Sequence, residues 1–364
     1  RVLFRSSSVA SGKLKAHTNV IAGDVYIICV PTPFHENYEI PTPNIDYVLE
    51  AIESICPHLK KGDIVILEST SPVGTTEIIR DTIEKNGINT SEIFIAYCPE
   101  RVLPGKIMIE LVKNPRVIGG INSESTKVVS SFYKTFVEGE ILETEAKTAE
   151  MCKLTENSFR DVNIAFANEL SVLCDNAGID VWDLIKLANL HPRVDILQPG
   201  TGVGGHCIPI DPKYLSFKTR QIGHPVRFVE LAQEINNSMP HYVVSRITEI
   251  MNKNAILMKS SKILLLGVAY KKDIGDTRES PALDIIEELL TKEVSVSFYD
   301  PFVDSLNVDG TNIKKEDEIK NLQNYNLILI HTPHTKFNSI EFDKIKTLIF
   351  DTTGSFNSKN IEKI

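Results

Sequence analysis

The sequence predicts an α/β protein in three blocks: parallel sheet, helices, then parallel sheet again. Three observations predict it. Short β-rich runs alternate with helical patterns from residue 25 to about 143, the strand signal vanishes between 148 and about 254, and the alternation restarts at 262. In the first block the strands are 25–30 (VYIICV), 64–67 (IVIL) and 93–97 (IFIAY), with helices near 44–60 and 75–85. VYIICV and IVIL are almost continuously apolar, as strands covered on both faces should be. The middle block carries long amphipathic patterns broken by a Pro/Gly-rich stretch at 191–212. The third block holds KILLLG (262–267), a helix from about Pro281, VSVSFY (294–299) ending at Asp300, and strands at 327–330 and 348–350.

The composition fits a folded chain of more than one domain. Its 364 residues are 42% apolar and 24% charged, and each block can bury its own core. Asp and Glu (48) outnumber Lys and Arg (39), a net charge of −9 that argues against general nucleic-acid binding. No stretch reaches the roughly 18 apolar residues that span a bilayer. No charged segment followed by an apolar run opens the chain either. Neither nucleic acid nor membrane is expected as a partner. The six cysteines lie 22 to 54 positions apart with no C-x-x-C pair. Reduced thiols in a cytoplasm are expected, and no resident metal. Residues 1–8 (RVLFRSSS) have neither an initiator Met nor a period leading into a fold, and their codons resemble the end of a sequencing adapter. They are read as the edge of a gene fragment, with a frayed natural terminus as the alternative.

Ligands of a doubly wound sheet sit at the carboxyl ends of its strands. Three such ends are suggestive: 31–33 (PTP), 69–74 (STSPVG) and 98–101 (CPER). The second runs into the helix near Thr75, where hydroxyls and backbone N–H groups can hold an anion. Taken alone it reads as a helix cap; three polar strand ends in a row favour a ligand. The G-x-G-x-x-G fingerprint is absent, and Gly202-Val203-Gly204-Gly205 does not qualify because it follows no strand.

Lys153, Asn157 and Arg160 fall at i, i+4 and i+7 of one helix and so share a face. They can hold a phosphate or stabilise an oxyanion, or form a solvated face with Glu150 and Glu156; spacing does not decide. The sharpest signal is GVGGHCIPIDP (202–212). Glycines let backbone approach a ligand. A thiol beyond them, Cys207, with His206 beside it and Asp211 four residues on, suits an activated nucleophile. A structural cysteine in a tight turn is the alternative. The other five cysteines fall in strand or helix patterns and are taken as core. YKKDIGDTR (270–278) follows a strand and reads as a diphosphate clamp or as a charged surface loop.

These strings resemble the UDP-glucose/GDP-mannose dehydrogenase family over nearly all of residues 9–360. The carrying strings are ICVPTP (28–33), LESTSPVGTTE (67–77), CPERVLPG (98–105), AEMCKLTENSFRDVNIAFANEL (149–170), HPRVDILQPGTGVGGHCIPIDP (191–212) and GVAYKKDIGDTRES (267–280). The wording of ESTSPVG, PERVLPG and NSFRDVNIAFANEL is most similar to the branch that oxidises UDP-N-acetyl-D-mannosamine, with UDP-N-acetylglucosamine 6-dehydrogenases as runner-up. The resemblance implies two Rossmann-like doubly wound domains joined by a central helical dimerisation domain. The N-terminal domain, with its glycine fingerprint, is read as truncated. The expected limits are 1–145 for the remainder of the NAD domain, 146–256 for the helical domain and 257–364 for the UDP-sugar domain. A homodimer or higher homo-oligomer is implied.

The implied activity is a two-step oxidation of a sugar C6 alcohol to a carboxylate with two NAD⁺. Cys207 matches the nucleophile, Lys153 the acid/base or oxyanion lysine, Asn157 its partner, and Asp211 the carboxylate serving Cys207. Glu100 and Thr70 match residues that manage proton and water. Arg101, Val102, Lys153, Asn157, Arg160, His191, Arg193, Gly204, Tyr270 and Lys271 match UDP-sugar contacts, with His191 and Arg193 from a neighbouring subunit. Thr32, Thr70 and Arg278 match cofactor contacts. Ile210 stands where UDP-glucose dehydrogenases carry lysine, and Pro104 replaces the second glutamate of their Glu-pair loop. Residues 351–354 (DTTG) lack an arginine the family often has there. Two rivals are a non-catalytic UDP-sugar-binding oligomer and a small-hydroxy-acid dehydrogenase, which would need no thiol.

Overall fold

The computed structural model of the protein describes residues 7–35, 41–102, 106–358 and 360–364. The expectations for residues 1–6 and for Pro104 lie outside these. Contacts divide the chain into two compact units, Arg1–Thr155 and Glu156–Ile364.

The first unit is a five-stranded sheet in the order β1 (Val25–Ile28), β2 (Ile64–Leu67), β3 (Phe94–Tyr97), β4 (Arg116–Gly120), β5 (Ile141–Glu145). Its helices are α1 (Asp46–Ile55), α2 (Thr75–Lys85), α3 (Ile107–Lys113) and α4 (Ser123–Tyr133). Alternation sorts the side chains. Val65, Leu67, Ile95 and Tyr97 pack on Ile52, Ile79 and Ile83 of α1 and α2. Ile66, Ala96, Cys98 and Ile118 pack on Val129 and Tyr133 of α4. All pairings are parallel except β3 with β4.

One expectation needs correction. β1 is covered on one face only: Tyr26 and Ile28 are buried, Ile27 is 42% exposed and Cys29 is exposed. Among the described residues it is paired with β2 alone, at the edge of the sheet, so its apolar run alternates in and out. Cys29 is therefore not a core cysteine, whereas Cys56, Cys98 and Cys174 are buried.

The start of α2 also departs from the sequence reading. The backbone N–H of Gly74 (φ 101°) donates to Glu150 Oε2 at 2.6 Å, and Thr76 N–H and Oγ1 donate to Glu150 Oε1 at 2.8 and 2.6 Å. The anion that this helix N-terminus holds is the chain's own buried carboxylate. The hydroxyls of Ser69, Ser71 and Thr75 are likewise spent on backbone carbonyls.

The second unit begins with most of α5 (Ala146–Ala177), followed by α6 (Val181–Ala188), α7 (Asp211–Gln221) and α8 (Arg227–Lys253). A sheet follows in the order β12 (Ile361–Lys363), β11 (Leu348–Asp351), β10 (Leu327–Ile330), β6 (Lys262–Leu266), β7 (Ser295–Tyr299), β9 (Thr311–Lys315), β8 (Leu306–Val308). α9 (Pro281–Thr291) joins β6 to β7, and only the β8–β9 hairpin is antiparallel. Ile263, Leu265, Phe298 and Leu329 face α8 and α9 through Val243, Ile247, Ile285 and Leu289. Leu264, Leu266, Ile328 and Ile330 face Phe337 and Phe342. This sheet is covered on both sides, as its apolar strands require.

The buried face of α5 is partly polar. Asp161, Asn168 and Ser171 are fully enclosed, and Asn236 of α8 bridges the first two. Burial pushes the Asp161 carboxyl up to about 6 against hydrogen bonding from Asn236 and the charge of Lys213. The fold thus keeps a proton that the unfolded chain loses near pH 4, and stability falls as pH rises from about 4 to about 6. Replacing Asp161 by Asn is expected to remove that slope, worth about 3 kcal/mol as an upper bound. Buried His331, pushed down to about 4, gives a slope of opposite sign. The wild type minus variant difference in urea unfolding, followed over pH, is therefore the quantity to read; a flat difference would contradict the assignment.

Candidate active site

In the first unit the strand ends are laced together. Thr32, after β1, donates its hydroxyl to the carbonyl of Thr70, after β2, at 2.6 Å. Past β3, the Glu100 carboxylate accepts from the N–H groups of Arg101 (2.6 Å) and Val102 (2.9 Å). Lys153 of α5 donates Nζ to the Glu100 carbonyl at 2.9 Å. The unit therefore brings together Glu100, Arg101, Val102 and Lys153, and separately Thr32 and Thr70.

Two groups here escaped the sequence reading. Arg116, at the start of β4, is buried with Nη1 3.9 Å from Glu100 Oε1 and its guanidinium 5.7 Å from the Tyr133 ring centre. Tyr133 donates its hydroxyl to Glu68 Oε1 at 2.5 Å, and Cys29 Sγ lies 3.4 Å from Glu68 Oε2. The Cys29 side chain is exposed overall, but partial desolvation of its sulfur and the adjacent Glu68 charge push the thiol up to about 12, and burial does the same to Cys98. Both stay protonated at neutral pH and are poor nucleophiles. No spacing in the sequence signals this cluster, because it draws on the ends of β1, β2 and β3, the start of β4 and the end of α4.

In the second unit Cys207 is exposed, one turn ahead of α7. Its carbonyl accepts from Ile210 and Asp211 N–H at 3.1 and 2.8 Å. This sets it at a helix N-terminus, where backbone dipoles favour negative charge. Asn157 donates Nδ2 to Asp211 Oδ2, so these two sequence-chosen residues meet. The glycines are needed for contact: a Cβ on Gly204 would lie 2.7 Å from Tyr270 Cβ, and one on Gly205 (φ 85°) 2.8 Å from the Tyr270 ring. Gly205 N–H donates to the Arg278 carbonyl at 3.0 Å. Arg278 pairs with Asp276 at 2.6 Å and reaches His206 Nδ1 at 3.5 Å, which places it beside the thiol loop. Lys271 and Arg160 are exposed. His191 and Arg193 are exposed too and bond to each other, Arg193 N–H to His191 Nδ1 at 3.3 Å.

Domain profiles of the UDP-glucose/GDP-mannose dehydrogenase family match in succession: the NAD binding domain at residues 4–137, the central domain at 147–238 and the UDP binding domain at 264–362. The chain belongs to this family. It is an oxidoreductase of the NAD-dependent dehydrogenase class. It is 45% identical over 351 residues to a UDP-N-acetyl-D-mannosamine dehydrogenase of Campylobacter jejuni, covering 93% of this chain and 84% of that protein. It is 39% identical to an NDP-N-acetyl-D-galactosaminuronic acid dehydrogenase of Ralstonia nicotianae, covering 98% and 84%. The solved UDP-D-ManNAc dehydrogenase of Pyrococcus horikoshii matches with a TM-score of 0.89 at 35% identity, over 99% of this chain and 86% of that one.

Thr32 and Thr70 stand at two adjacent carboxyl ends of parallel strands, where a doubly wound sheet takes its ligands, and the Thr32 hydroxyl is given to the Thr70 carbonyl. The start of α2 does not offer itself to the diphosphate, because Glu150 fills it. Among the described residues no helix is long and apolar enough to cross a membrane, and no cluster of three His, Cys, Asp or Glu could hold a metal.

Proposed function

We propose that the protein oxidises the C6 alcohol of UDP-N-acetyl-D-mannosamine to the carboxylate, through a covalent adduct on Cys207. The observation that carries this reading is the exposed thiol at the head of α7, after a glycine loop packed on Tyr270 and four residues ahead of Asp211, which Asn157 holds. The names of relatives at about 40% identity over most of the chain support the substrate. When bound, NAD supplies the hydride acceptor for both oxidations. Cys207 Sγ adds to the C6 carbonyl carbon at the aldehyde level, and the proton goes to the new hydroxyl of the thiohemiacetal. Once that carbon is oxidised it is a thioester, and water cleaves it to carboxylate and thiol. Asp211, fixed by Asn157, takes the thiol proton and relays it to that hydroxyl. Lys153 stabilises negative charge at the C6 oxygen, and Glu100 and Thr70 manage the water. Arg101, Val102, Arg160, His191, Arg193, Gly204, Tyr270 and Lys271 remain proposed UDP-sugar contacts, and Thr32, Thr70 and Arg278 proposed cofactor contacts.

Comparing kcat/KM for UDP-N-acetyl-D-mannosamine, its gluco and galacto epimers and UDP-glucose tests the substrate. The manno epimer is expected to lead UDP-glucose by at least about 100-fold, because groups that bind the acetamide are left unpaired by a hydroxyl. UDP-glucose turned over as well would overturn the reading.

The family matches at 4–137, 147–238 and 264–362 support the three-domain division at about 145 and 256. Self-association is supported by Phe159, Phe166 and Leu173, spaced seven apart on α5 and 68%, 49% and 62% exposed. Phe159→Glu with Phe166→Glu is expected to turn a dimer or larger assembly into monomer in sedimentation velocity; an unchanged assembly would exclude this stripe. That none of the six cysteines is in a disulfide supports a reducing, cytoplasmic setting.

A further inference from the structure

We infer that asparagine side chains seated on the helices hold the segment ahead of Cys207 in place, and that Asn168 and Asn236 are positioning residues for the thiol. The inference rests on the covalent role proposed for Cys207.

The segment from His191 to Gly205 has no secondary structure of its own beyond turns and bends, so its backbone groups need partners elsewhere. Three asparagines supply them. Asn189 exchanges two bonds with Ile196, Nδ2 to its carbonyl at 2.9 Å and Oδ1 from its N–H at 2.8 Å. Asn163 gives Nδ2 to the Asp195 carbonyl at 2.8 Å and takes the Leu197 N–H at 2.9 Å. Asn168 takes the Gly200 N–H at 2.8 Å.

The last of these is anchored most deeply. Asn168 Nδ2 donates to Asn236 Oδ1 at 2.8 Å, and Asn236 Nδ2 donates to Asp161 Oδ1 at 2.7 Å and to the Asp161 carbonyl at 3.1 Å. All three side chains are buried, and Asp161 Oδ2 has no partner among the described residues. Each amide is used in both directions, so neither can flip without losing bonds. The loop also rests on this chain through Gly202 (φ 121°), where a Cβ would come 2.8 Å from the Asn236 carbonyl oxygen. The far end is tied by Gly205 to Arg278. Cys207 thus follows a loop fixed at 195–197, 200, 202 and 205. An apolar helix contact at 161, 168 and 236 would pack without these desolvated groups. The polar chain instead gives the loop one register.

The test compares Asn168→Ala and Gly200→Pro, which break the contact from either side, with Gly200→Ala, which keeps the N–H and whose Cβ meets nothing within 4 Å. Ile247→Ala, in the core under α8, serves as a control for lost stability. Iodoacetamide labelling mapped to Cys207 by mass spectrometry is read beside kcat and KM for UDP-N-acetyl-D-mannosamine. Both breaking variants are expected to slow Cys207 labelling about tenfold. They are expected to lower kcat about 100-fold with KM changed less than about threefold. Gly200→Ala and Ile247→Ala should keep near-parental values. Parental labelling in folded Gly200→Pro and Asn168→Ala would overturn the inference, as would an equal loss in Ile247→Ala. If the wild type turns over no UDP-sugar, the functional reading fails by itself, and the labelling rates still decide whether the seat positions the thiol.

Discussion

Cys207→Ser is expected to lower conversion of UDP-N-acetyl-D-mannosamine to the uronate by at least about 10³-fold while the protein stays folded. A serine hydroxyl is hard to ionise near neutral pH, and its adduct with the aldehyde forms and oxidises slowly. The exposed position of Cys207 argues that the change costs little stability, within about 0.5 kcal/mol. Cys29 and Cys98 cannot substitute. Cys29 is tucked against Glu68 and Cys98 is enclosed, both pushed up to about 12. Parental turnover in the serine variant, with two NADH per sugar, would remove the covalent role and leave Cys207 a turn residue.

The second large effect is on stability. Glu150→Ala takes the acceptor away from three donors at the start of α2: Gly74 N–H, Thr76 N–H and Thr76 Oγ1. Each buried donor left unmet costs about 1–3 kcal/mol. Water entering the space recovers part, so the expected loss is about 3–5 kcal/mol in urea unfolding. Glu150→Gln keeps one acceptor oxygen and turns an amide toward the other donors, so it should fall between. A loss below about 1 kcal/mol for Glu150→Ala would mean that α2 caps itself.

Glu150 also shows what the sequence concealed. It was legible as part of a charged helical face near Lys153, whereas its partners lie 74 and 76 positions earlier. The strands at 64–67, 262–266 and 327–330 were legible because they are apolar on both faces. β1 misled because an edge strand can be as apolar as a central one. β4 (RVIGG) hid for a different reason: its glycines answer a close approach, a Cβ on Gly119 lying 2.4 Å from the Glu145 carbonyl oxygen. The β8–β9 hairpin carried a readable Asp309-Gly310 turn, both at positive φ, but its strands are short and polar.

The site divides the same way. Cys207, Asp211 and the glycines are contiguous in sequence, so their chemistry could be read from one string. Asn157 could be placed on a helix face, while its bond to Asp211 is a tertiary fact. Arg116, Glu68 and the asparagine seat are not legible in any one string, because each works through residues tens of positions away.

The most direct test of the account is the number of NADH formed per UDP-N-acetyl-D-mannosamine consumed, with product followed by mass spectrometry. Two are expected, with the uronate as product and no aldehyde released. One NADH with free aldehyde would contradict a thioester on Cys207. No NADH from a protein that still binds the UDP-sugar would contradict the enzyme altogether.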